Sequence, residues 1–441
     1  MNPRAAANEP TGLASRRAAL AALTEVDERG RWSNLAVPEA IADLATARDR
    51  AFASHLAYET LRWEGTLDAA LALVLTRDLA AVEPALRRIL RLGATQLLIS
   101  EVPARAAVDT SVQLARSAVP KARSKGAAGF VNGVLRSLGR RTDDLAWPDA
   151  KQDPIGHLAL STGHPRWIVA ELVGRLGAER AGRVLAADDV APGVTLRANG
   201  DPDALLLELA EAGVEAVPGG TPGAVRAPGL DPRGAAAVRE GRAVVQDEAS
   251  MRVALATGAT PGGRVLDLCA GPGGKATHLA HLVGPTGTVT AVEVHPHRAR
   301  LITEAATVQS VPVEVVVGDA RTPPLAPEAT YDVVLLDAPC TGLGTGRRRP
   351  EVRWRRQPGD AVELAALQRE LLAAAAQRVA PGGQLTYAVC TWTAAETTEV
   401  VESFERGAAA AGLYRREVQQ LWPDTDDTDG MFIATWGRAG G

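Results

Sequence analysis

The sequence predicts a multidomain protein: an all-helical N-terminal domain, a small α/β middle region and a doubly wound α/β domain at the C-terminal end. Apolar residues recur at helical spacing through residues 15–141, where strand alternation is absent. From Arg264 onward, short apolar strands alternate with helical stretches, which is typical of a doubly wound parallel sheet. The predicted domains span residues 1–145, 155–245 and 246–438.

The individual elements follow from the same periodicities. Helical spacing is clearest in residues 18–26, 53–61, 86–92 and 129–136. A polar stretch at 140–157 predicts a linker, and residues 164–187, 195–199, 202–212 and 242–245 predict a helix, a strand, a helix and a strand. In the last domain, strands are predicted at 264–268, 288–292, 312–317, 331–336 and 384–387.

The composition indicates an ordinary globular protein. Hydrophobic residues make up 46% of the 441 residues and charged residues 23%, with a net charge of -4, so wholesale disorder and collagen are excluded. Three cysteines cannot form a disulfide framework, which favours a reducing compartment. No run of about 18 apolar residues predicts a membrane span. A cytoplasmic location is expected, with an organellar transit peptide as the alternative.

A glycine-rich turn follows the first strand of the last domain. Val265–Leu268 leads into Cys269-Ala270-Gly271-Pro272-Gly273-Gly274-Lys275, and ligands of this fold bind at such strand ends. The turn is not a P-loop, because Ala276 stands where a magnesium-binding Ser or Thr is required. Glu293 ends the next strand, where a carboxylate can bind ribose hydroxyls. These residues predict a nucleotide-type cofactor without separating NAD from S-adenosylmethionine, and a purely structural turn is the alternative.

The three cysteines follow strands of this same domain. Cys269 lies in the glycine turn, Cys340 ends the run Asp337-Ala338-Pro339-Cys340, and Cys390 follows the strand that contains Tyr387. A single cysteine is most simply a small buried apolar residue. Two thiols and an aspartate that converge on one cofactor crevice instead indicate catalysis.

Paired thiols suit the methylation of carbon 5 of cytosine. That carbon is a weak nucleophile until a thiolate adds to carbon 6 and makes an enamine. A group near N3 must stabilise or protonate the ring, and Asp337 is suited to this if burial keeps it protonated. A second thiol can assist when the carbon 5 proton and the enzyme thiol leave. Hydride transfer has no evident use for such a pair.

An arginine-rich segment follows the loop that contains Cys340. Six of the ten residues from Arg347 to Arg356 are arginines and Trp354 lies among them, which predicts phosphate contacts and base stacking. A solvated charged face is the alternative. The seven histidines show no metal-ligand spacing with the cysteines, so no metal site is expected, and His278 and His281 are expected to be packing or surface residues.

With these motifs in view, the chain resembles the bacterial RNA 5-methylcytosine methyltransferases of the ribosomal RNA small-subunit methyltransferase B family, also called RsmB, Sun or Fmu. The specific motifs are the 269–275 turn and Asp337-Ala338-Pro339-Cys340. Residues 130–136 resemble a NusB-type RNA-binding domain. Residues 164–167, 196–199 and 246–250 are similar to stretches that connect the two domains of the family. The resemblance covers nearly the whole chain.

The resemblance implies a Rossmann-like methyltransferase domain with S-adenosylmethionine as its cofactor. The implied cofactor contacts are Cys269, Ala270, Gly271, Pro272, Gly273, Gly274, Lys275, Glu293, Asp319 and Asp337. As catalytic residues, Cys390 would attack carbon 6, Cys340 would help to release the product, and Lys275 and Asp337 would lie near the cytosine. The chain departs from the family after Cys390, where Thr391-Trp392-Thr393-Ala394-Ala395-Glu396 replaces a Ser and a Pro-Glu-Glu-Asn-like turn.

The expected function is methylation of carbon 5 of a cytosine in 16S ribosomal RNA by a monomeric enzyme whose helical domain docks the RNA. Neither a membrane nor a metal is an expected partner. Three alternatives stay open at this point: the same chemistry on transfer RNA, a noncatalytic RNA-binding assembly factor of the ribosome, and an NAD-dependent oxidoreductase.

Overall fold

The computed structural model describes residues 12–141 and 146–440. Residues up to Asp189, together with Arg348–Arg355, form one compact unit, and Val190–Arg347 with Arg356–Gly441 form a second. The predicted loose start at 1–14 and the predicted linker at 140–157 lie partly outside the described residues. Within that linker, a helix already begins at Pro154.

The first unit is built of helices, which confirms the predicted all-helical fold of this part. The helices are α1 (Leu13–Arg29), α2 (Ser33–Ala40), α3 (Ala47–Arg62), α4 (Glu64–Ala72), α5 (Pro84–Leu98), α6 (Ala104–Ala118), α7 (Ser124–Gly139), α8 (Pro154–Ser161), α9 (Arg166–Leu176) and α10 (Ala178–Asp188). The apolar faces of α3, α5 and α7 meet in one core, where Leu56, Ile89 and Leu135 are fully buried.

The second unit opens with a small antiparallel sheet. Its elements are β1 (Thr195–Ala198), α11 (Pro202–Glu211), β2 (Val217–Pro218), β3 (Ala224–Arg226), α12 (Ala236–Arg239) and β4 (Ala243–Val245). Among the described residues the strand order is β2-β3-β1-β4. β1 and β4 agree with the predicted strands, whereas β2 and β3 are too short to show a period in the sequence.

The large sheet of the second unit confirms the doubly wound α/β class. Its elements are α13 (Glu248–Ala256), β5 (Arg264–Leu268), α14 (Gly274–Val283), β6 (Thr288–Glu293), α15 (Pro296–Val308), β7 (Glu314–Val317), β8 (Tyr331–Asp337), α17 (Pro358–Ala376), β9 (Val379–Val389), α18 (Thr398–Arg406), β10 (Leu413–Leu421), α19 (Pro423–Asp426) and β11 (Met431–Arg438). The short α16 (Val352–Arg355) belongs to the helical unit. In the described part of the chain the order is β10-β11-β9-β8-β5-β6-β7.

Strands β5 to β9 are parallel, and β10 and β11 add an antiparallel edge that the sequence pattern did not predict. Most of β10 is exposed, so its residues carry little of the apolar alternation that marks a strand. The centre of the sheet is buried on both faces, since Leu266 and Leu336 face one apolar cluster and Val265 and Leu335 face the other.

The sheet order decides which loops meet. Strands β8, β5 and β6 are direct neighbours, and β9 lies beside β8, so the loops that follow these strands share one edge of the sheet. In register, Leu268 of β5 lies beside Leu336 of β8, and Asp337 lies beside Ala388 of β9. The glycine turn and both predicted cysteine loops therefore start at the same edge.

The segment from Arg347 to Arg356 is not a solvated basic face, because its six arginines are all buried or half-buried, and its contact with RNA stays a prediction. Arg353 is 1% exposed and pairs with Asp188 at 2.6 Å and with Asp189 at 2.7 Å inside the helical unit. Trp354 donates its indole N–H to the Leu61 carbonyl at 2.9 Å. The carboxylates that neutralise the segment are remote in sequence, so the run reads as a free basic patch when taken alone.

The two ends of the arginine segment are engaged within the second unit. Arg347 pairs with Asp427 at 3.0 Å. Arg356 donates to the carbonyl of Thr341 at 2.8 Å and to that of Cys340 at 3.2 Å. These side chains bind the protein itself, and Arg356 supports one of the cysteine loops.

Candidate active site

The glycine turn after β5 contains the predicted cofactor residues 269–275, and its shape depends on two glycines. A Cβ at Gly271 would lie 2.2 Å from Oε2 of Glu293, so a larger residue cannot fit there. Gly273 has a φ of +105°, a left-handed conformation that side chains disfavour, and a Cβ there would lie 3.0 Å from the Ile302 backbone. Helix α14 then begins at Gly274. The glycines thus let the turn pack tightly against β6 and α15.

Glu293, at the end of β6, holds this turn with a buried carboxylate. It is 2% exposed, and it accepts hydrogen bonds from the N–H of Gly271 at 3.0 Å and the N–H of His295 at 2.9 Å. Arg298 lies 3.6 Å from the same carboxylate. Each carboxylate oxygen can accept more than one hydrogen bond, so Glu293 keeps acceptor capacity for a ribose hydroxyl.

Asp319 lies in the loop after β7 and is more exposed than Glu293. Its carboxylate accepts from the Arg321 N–H at 2.9 Å and from the Arg321 guanidinium at 2.7 Å. These hydrogen bonds lower the pKa of Asp319. A carboxylate that stays ionised is a suitable acceptor for an amine such as the exocyclic nitrogen of adenine.

Lys275 and Asp337 form an ion pair at the sheet edge. The Nζ atom of Lys275 lies 2.6 Å from Oδ2 of Asp337, with the side chains 14% and 28% exposed. Burial alone lowers the pKa of Lys275, but the Asp337 carboxylate, with smaller contributions from Cys390 and Asp267, raises it overall. The raised pKa keeps Lys275 positively charged at neutral pH.

The structure brings Cys340 and Cys390 together. Their Sγ atoms are 3.4 Å apart, and both residues are half-buried. The hydrogen bond with Cys390 and burial, together with nearby negative charges, raise the pKa of Cys340 well above its usual value. Cys269 has a separate place inside the glycine turn, where burial and then the charge of Asp267 raise its pKa.

Three buried residues of this region were not assigned a role from the sequence. Arg197 on β1 is 1% exposed and donates to the Gly274 carbonyl at 2.9 Å. Glu396, 0% exposed, accepts a hydrogen bond from the Thr341 N–H at 2.7 Å. Asp267 on β5 is 0% exposed, and neither of its oxygens has a hydrogen-bond partner among the described residues. A charged residue inside an apolar strand was the available signal for Asp267.

His278 is buried, and burial lowers its pKa to about 3, which agrees with the expected packing role. Among residues 12–141 and 146–440, no group of three or more His, Cys, Asp or Glu side chains is arranged to hold a metal ion. Over the same residues, no helix is both long and apolar enough to cross a membrane.

The residues at the sheet edge fit S-adenosylmethionine. The turn at Gly271 presents backbone without a side chain, as close approach of a ligand requires. Glu293 and Asp319 offer carboxylates at the ends of β6 and β7, which match the hydroxyl and amine donors of an adenosine. Asp337 and Lys275 supply one negative and one positive group at the end of β8 and the start of α14.

This doubly wound sheet, with its glycine turn and a thiol pair at one edge, defines the class: an RNA methyltransferase that uses S-adenosylmethionine. The model of the family described as 16S rRNA methyltransferase RsmB/F matches residues 254–436, and that of the NusB family matches residues 13–140. The chain belongs to the RsmB/F family of 16S rRNA methyltransferases.

Relatives match over almost the whole chain. A protein from Mycobacterium tuberculosis strain H37Rv is 44% identical, over 96% of each chain. The ribosomal RNA small subunit methyltransferase B of Pseudomonas putida is 33% identical, over 98% of each chain. The crystal structure of PH0851 superposes with a TM-score of 0.83 at 25% identity, over 97% of this chain and 99% of that one.

Proposed function

We propose that this enzyme methylates carbon 5 of a cytosine in 16S ribosomal RNA, through a covalent bond between Cys390 and carbon 6. The observation that carries the proposal is the Cys340–Cys390 pair, whose sulfur atoms lie 3.4 Å apart at the cofactor edge of the sheet. A relative named as a ribosomal RNA small subunit methyltransferase B supports the substrate. When bound, S-adenosylmethionine supplies an electrophilic methyl group on a sulfonium.

Cys390 is the proposed nucleophile. Lys275 keeps its positive charge close to this thiol, and a nearby cation favours the thiolate form. The thiolate adds to carbon 6 of the cytosine and forms a C–S bond, which makes carbon 5 nucleophilic. Lys275 is the cation placed to balance the negative charge that develops on the ring.

Cys340 is the proposed assistant in the second half of the reaction. Its raised pKa has Cys390 as the largest cause, through their hydrogen bond. When Cys390 becomes bonded to carbon 6, it can no longer carry a negative charge, so this cause disappears. Cys340 then gives up its own proton to solvent and takes up the carbon 5 proton as a thiolate, and the electron pair left at carbon 5 expels the Cys390 thiolate from carbon 6, which releases the product.

The remaining assignments are proposals of the same kind. Residues 269–275, Glu293, Asp319 and Asp337 would hold the cofactor. Residues 1–145 would dock the RNA, and they carry 20 basic against 16 acidic residues. Residues 155–245 would connect this domain to the catalytic domain at 246–438. We further propose that the enzyme acts in the cytoplasm as a monomer.

The test is labelled-methyl transfer from S-adenosylmethionine to three separate pools: naked 16S RNA, assembled small subunits and transfer RNA. The labelled base is then identified by nuclease digestion and mass spectrometry. We expect 5-methylcytosine in 16S RNA and none in transfer RNA. Label in transfer RNA alone would contradict the substrate but keep the chemistry, and cofactor binding without any transfer would favour a noncatalytic assembly factor.

A further inference from the structure

The polar network behind the two cysteine loops centres on a fully buried carboxylate. Glu396 accepts hydrogen bonds through Oε1 from the Thr341 N–H at 2.7 Å and from Gln368 at 3.1 Å. Through Oε2 it accepts from the Thr341 hydroxyl at 2.5 Å and from the Thr393 hydroxyl at 2.8 Å. A buried carboxylate is stable only when hydrogen bonds replace its lost hydration, and this network supplies them.

Thr341 is the residue that follows Cys340, and it also bonds the loop of the other cysteine. Its hydroxyl lies 2.8 Å from the hydroxyl of Thr391, the residue that follows Cys390. On the other side of Cys340, Gln368 donates to the Pro339 carbonyl at 2.9 Å. The turn that contains Cys340 is therefore held on both sides of the cysteine by one connected network.

We propose that Glu396 is a positioning residue for the reaction, which holds the turn of Pro339 to Thr341 so that the sulfur of Cys340 stays against the sulfur of Cys390. Glu396 acts through Thr341, from which it accepts hydrogen bonds of the backbone N–H and of the hydroxyl. The inference rests on the proposed roles of the two thiols. It assigns a role to a residue of the segment after Cys390.

The charge of Glu396 supports the same arrangement. After the hydrogen bond with Cys390 and burial, the negative charge of Glu396 is among the causes that raise the pKa of Cys340. The charge of Glu396 and the hydrogen bond with Cys390 therefore favour the thiol form of Cys340.

The first experiment measures the position of the thiols without RNA or cofactor. Diamide oxidises the pair: both thiols lose a proton, two electrons pass to the azo bond, and a Cys340–Cys390 disulfide and a hydrazine form. Closure requires the sulfur atoms to approach in a specific geometry, so its rate reports their placement. Each closure rate is divided by the rate at which iodoacetamide alkylates Cys390 in the same variant, which corrects for a changed thiolate fraction of the proposed nucleophile.

Two threonines provide a matched pair of variants. Thr341→Val and Thr393→Val each remove one hydroxyl bond to the same oxygen of Glu396, but only Thr341 is attached to the cysteine turn. We expect Thr341→Val and Glu396→Gln to slow corrected closure about fivefold or more. Thr393→Val and the exposed Glu399→Gln should close at the wild-type rate. Equal closure in all four variants would overturn the proposal.

The second experiment follows the reaction with 16S RNA. With both cysteines intact, Glu396→Gln should accumulate protein–RNA adduct on denaturing gels, because Cys340 is misplaced for release. A loss of turnover without adduct, at wild-type closure, would assign Glu396 a merely structural role and overturn the proposal. If wild-type protein methylates no RNA, the proposed function fails, but the closure measurement still decides the placement of the thiols. If Glu396→Gln does not fold, the Thr341→Val and Thr393→Val pair decides alone.

Discussion

The sulfur atoms of Cys340 and Cys390 lie 3.4 Å apart, although 50 residues separate them in the chain. Parallel strands β8 and β9 are neighbours, so the loops that follow them meet at one edge. Under the proposed roles, this distance would let both thiols reach the same cytosine.

Removal of Cys390 and removal of Cys340 should block different steps of the reaction. Cys390→Ala should reduce methyl transfer to background, because no thiolate can add to carbon 6. Cys340→Ala should transfer the methyl group but retain the RNA, since release lacks its proton acceptor. The measurement is methyl transfer together with denaturing gel electrophoresis of protein and labelled RNA.

The control for the cysteine variants is Cys269→Ala, which removes the thiol of the glycine turn. It should form no trapped adduct. Full activity in Cys390→Ala would show that Cys390 is not the nucleophile. An adduct that depends on Cys340 alone would make Cys340 the nucleophile instead.

Arg197→Met should weaken cofactor binding about tenfold, since the helix start that contains Lys275 loses its support. Arg197 donates to the Gly274 carbonyl at 2.9 Å and to Gln246 at 2.8 Å, and among the described residues no carboxylate pairs with it. Burial lowers its pKa to about 10, so it stays charged at neutral pH. Isothermal titration calorimetry with S-adenosylmethionine measures the change in the dissociation constant of the cofactor.

Arg197→Lys is the informative comparison. A lysine keeps the charge but cannot reproduce the fork of a guanidinium, so the cofactor affinity should stay low. Recovery of wild-type affinity would mean that charge alone matters. The exposed Arg183→Met, on α10, is expected to leave cofactor binding unchanged.

Asp267→Asn should reduce the pH dependence of stability. Burial, followed by the charge of Asp337, raises the pKa of Asp267 well above its usual value. An acid with a raised folded pKa loses stability as the pH rises from its unfolded pKa of about 4 towards the folded value. The wild-type free energy of unfolding, measured relative to Asp267→Asn, should therefore fall by about 1 kcal/mol or more between about pH 5 and pH 8.

Urea denaturation of the wild type and of Asp267→Asn at the two pH values gives this difference. The contributions of the other titrating groups are the same in both proteins and cancel in the comparison. If Asp267 were instead held ionised by Lys275, the wild type would gain stability over the variant as the pH rises. That opposite sign would contradict the prediction.

Arg353→Ala should destabilise the helical unit by about 3–5 kcal/mol, because it leaves Asp188 buried without its cation. Asp188 is 1% exposed and lies 2.6 Å from Arg353. Burial alone would raise the pKa of Asp188, but Arg353 and then His164 lower it overall. Chemical denaturation followed by far-ultraviolet circular dichroism measures the loss.

Measurement of RNA binding distinguishes the structural role of Arg353, its pairing with Asp188, from the RNA contact that the sequence predicted. Under conditions where Arg353→Ala is folded, the salt dependence of its RNA affinity should match that of the wild type. A smaller salt dependence of the RNA affinity in Arg353→Ala would mean that Arg353 contacts RNA phosphate. Arg183→Ala, at an exposed pair with Glu179, should change stability by less than about 0.5 kcal/mol.

Much of the catalytic sheet could be predicted from local patterns. The strand predicted at 264–268 agrees with β5 at both ends, and the turn that follows it begins helix α14 at Gly274. Strand β9 runs from Val379 to Val389, well beyond the predicted 384–387, because Pro381 and two glycines interrupt the apolar period. Strand β10 was missed because it lies at an edge and is mostly exposed.

The sequence by itself determined the fold class and the kinds of groups at the sheet edge, because strand-turn-helix patterns and glycine turns depend on neighbouring residues. Which side chains pair was decided by tertiary structure. Arg353 pairs with Asp188, which is 165 residues away in sequence, and Thr341 donates to Glu396, which is 55 residues away. Burial turned those charges from solvated groups into structural contacts, and burial depends on the packed chain, where low polarity makes each charge require a partner.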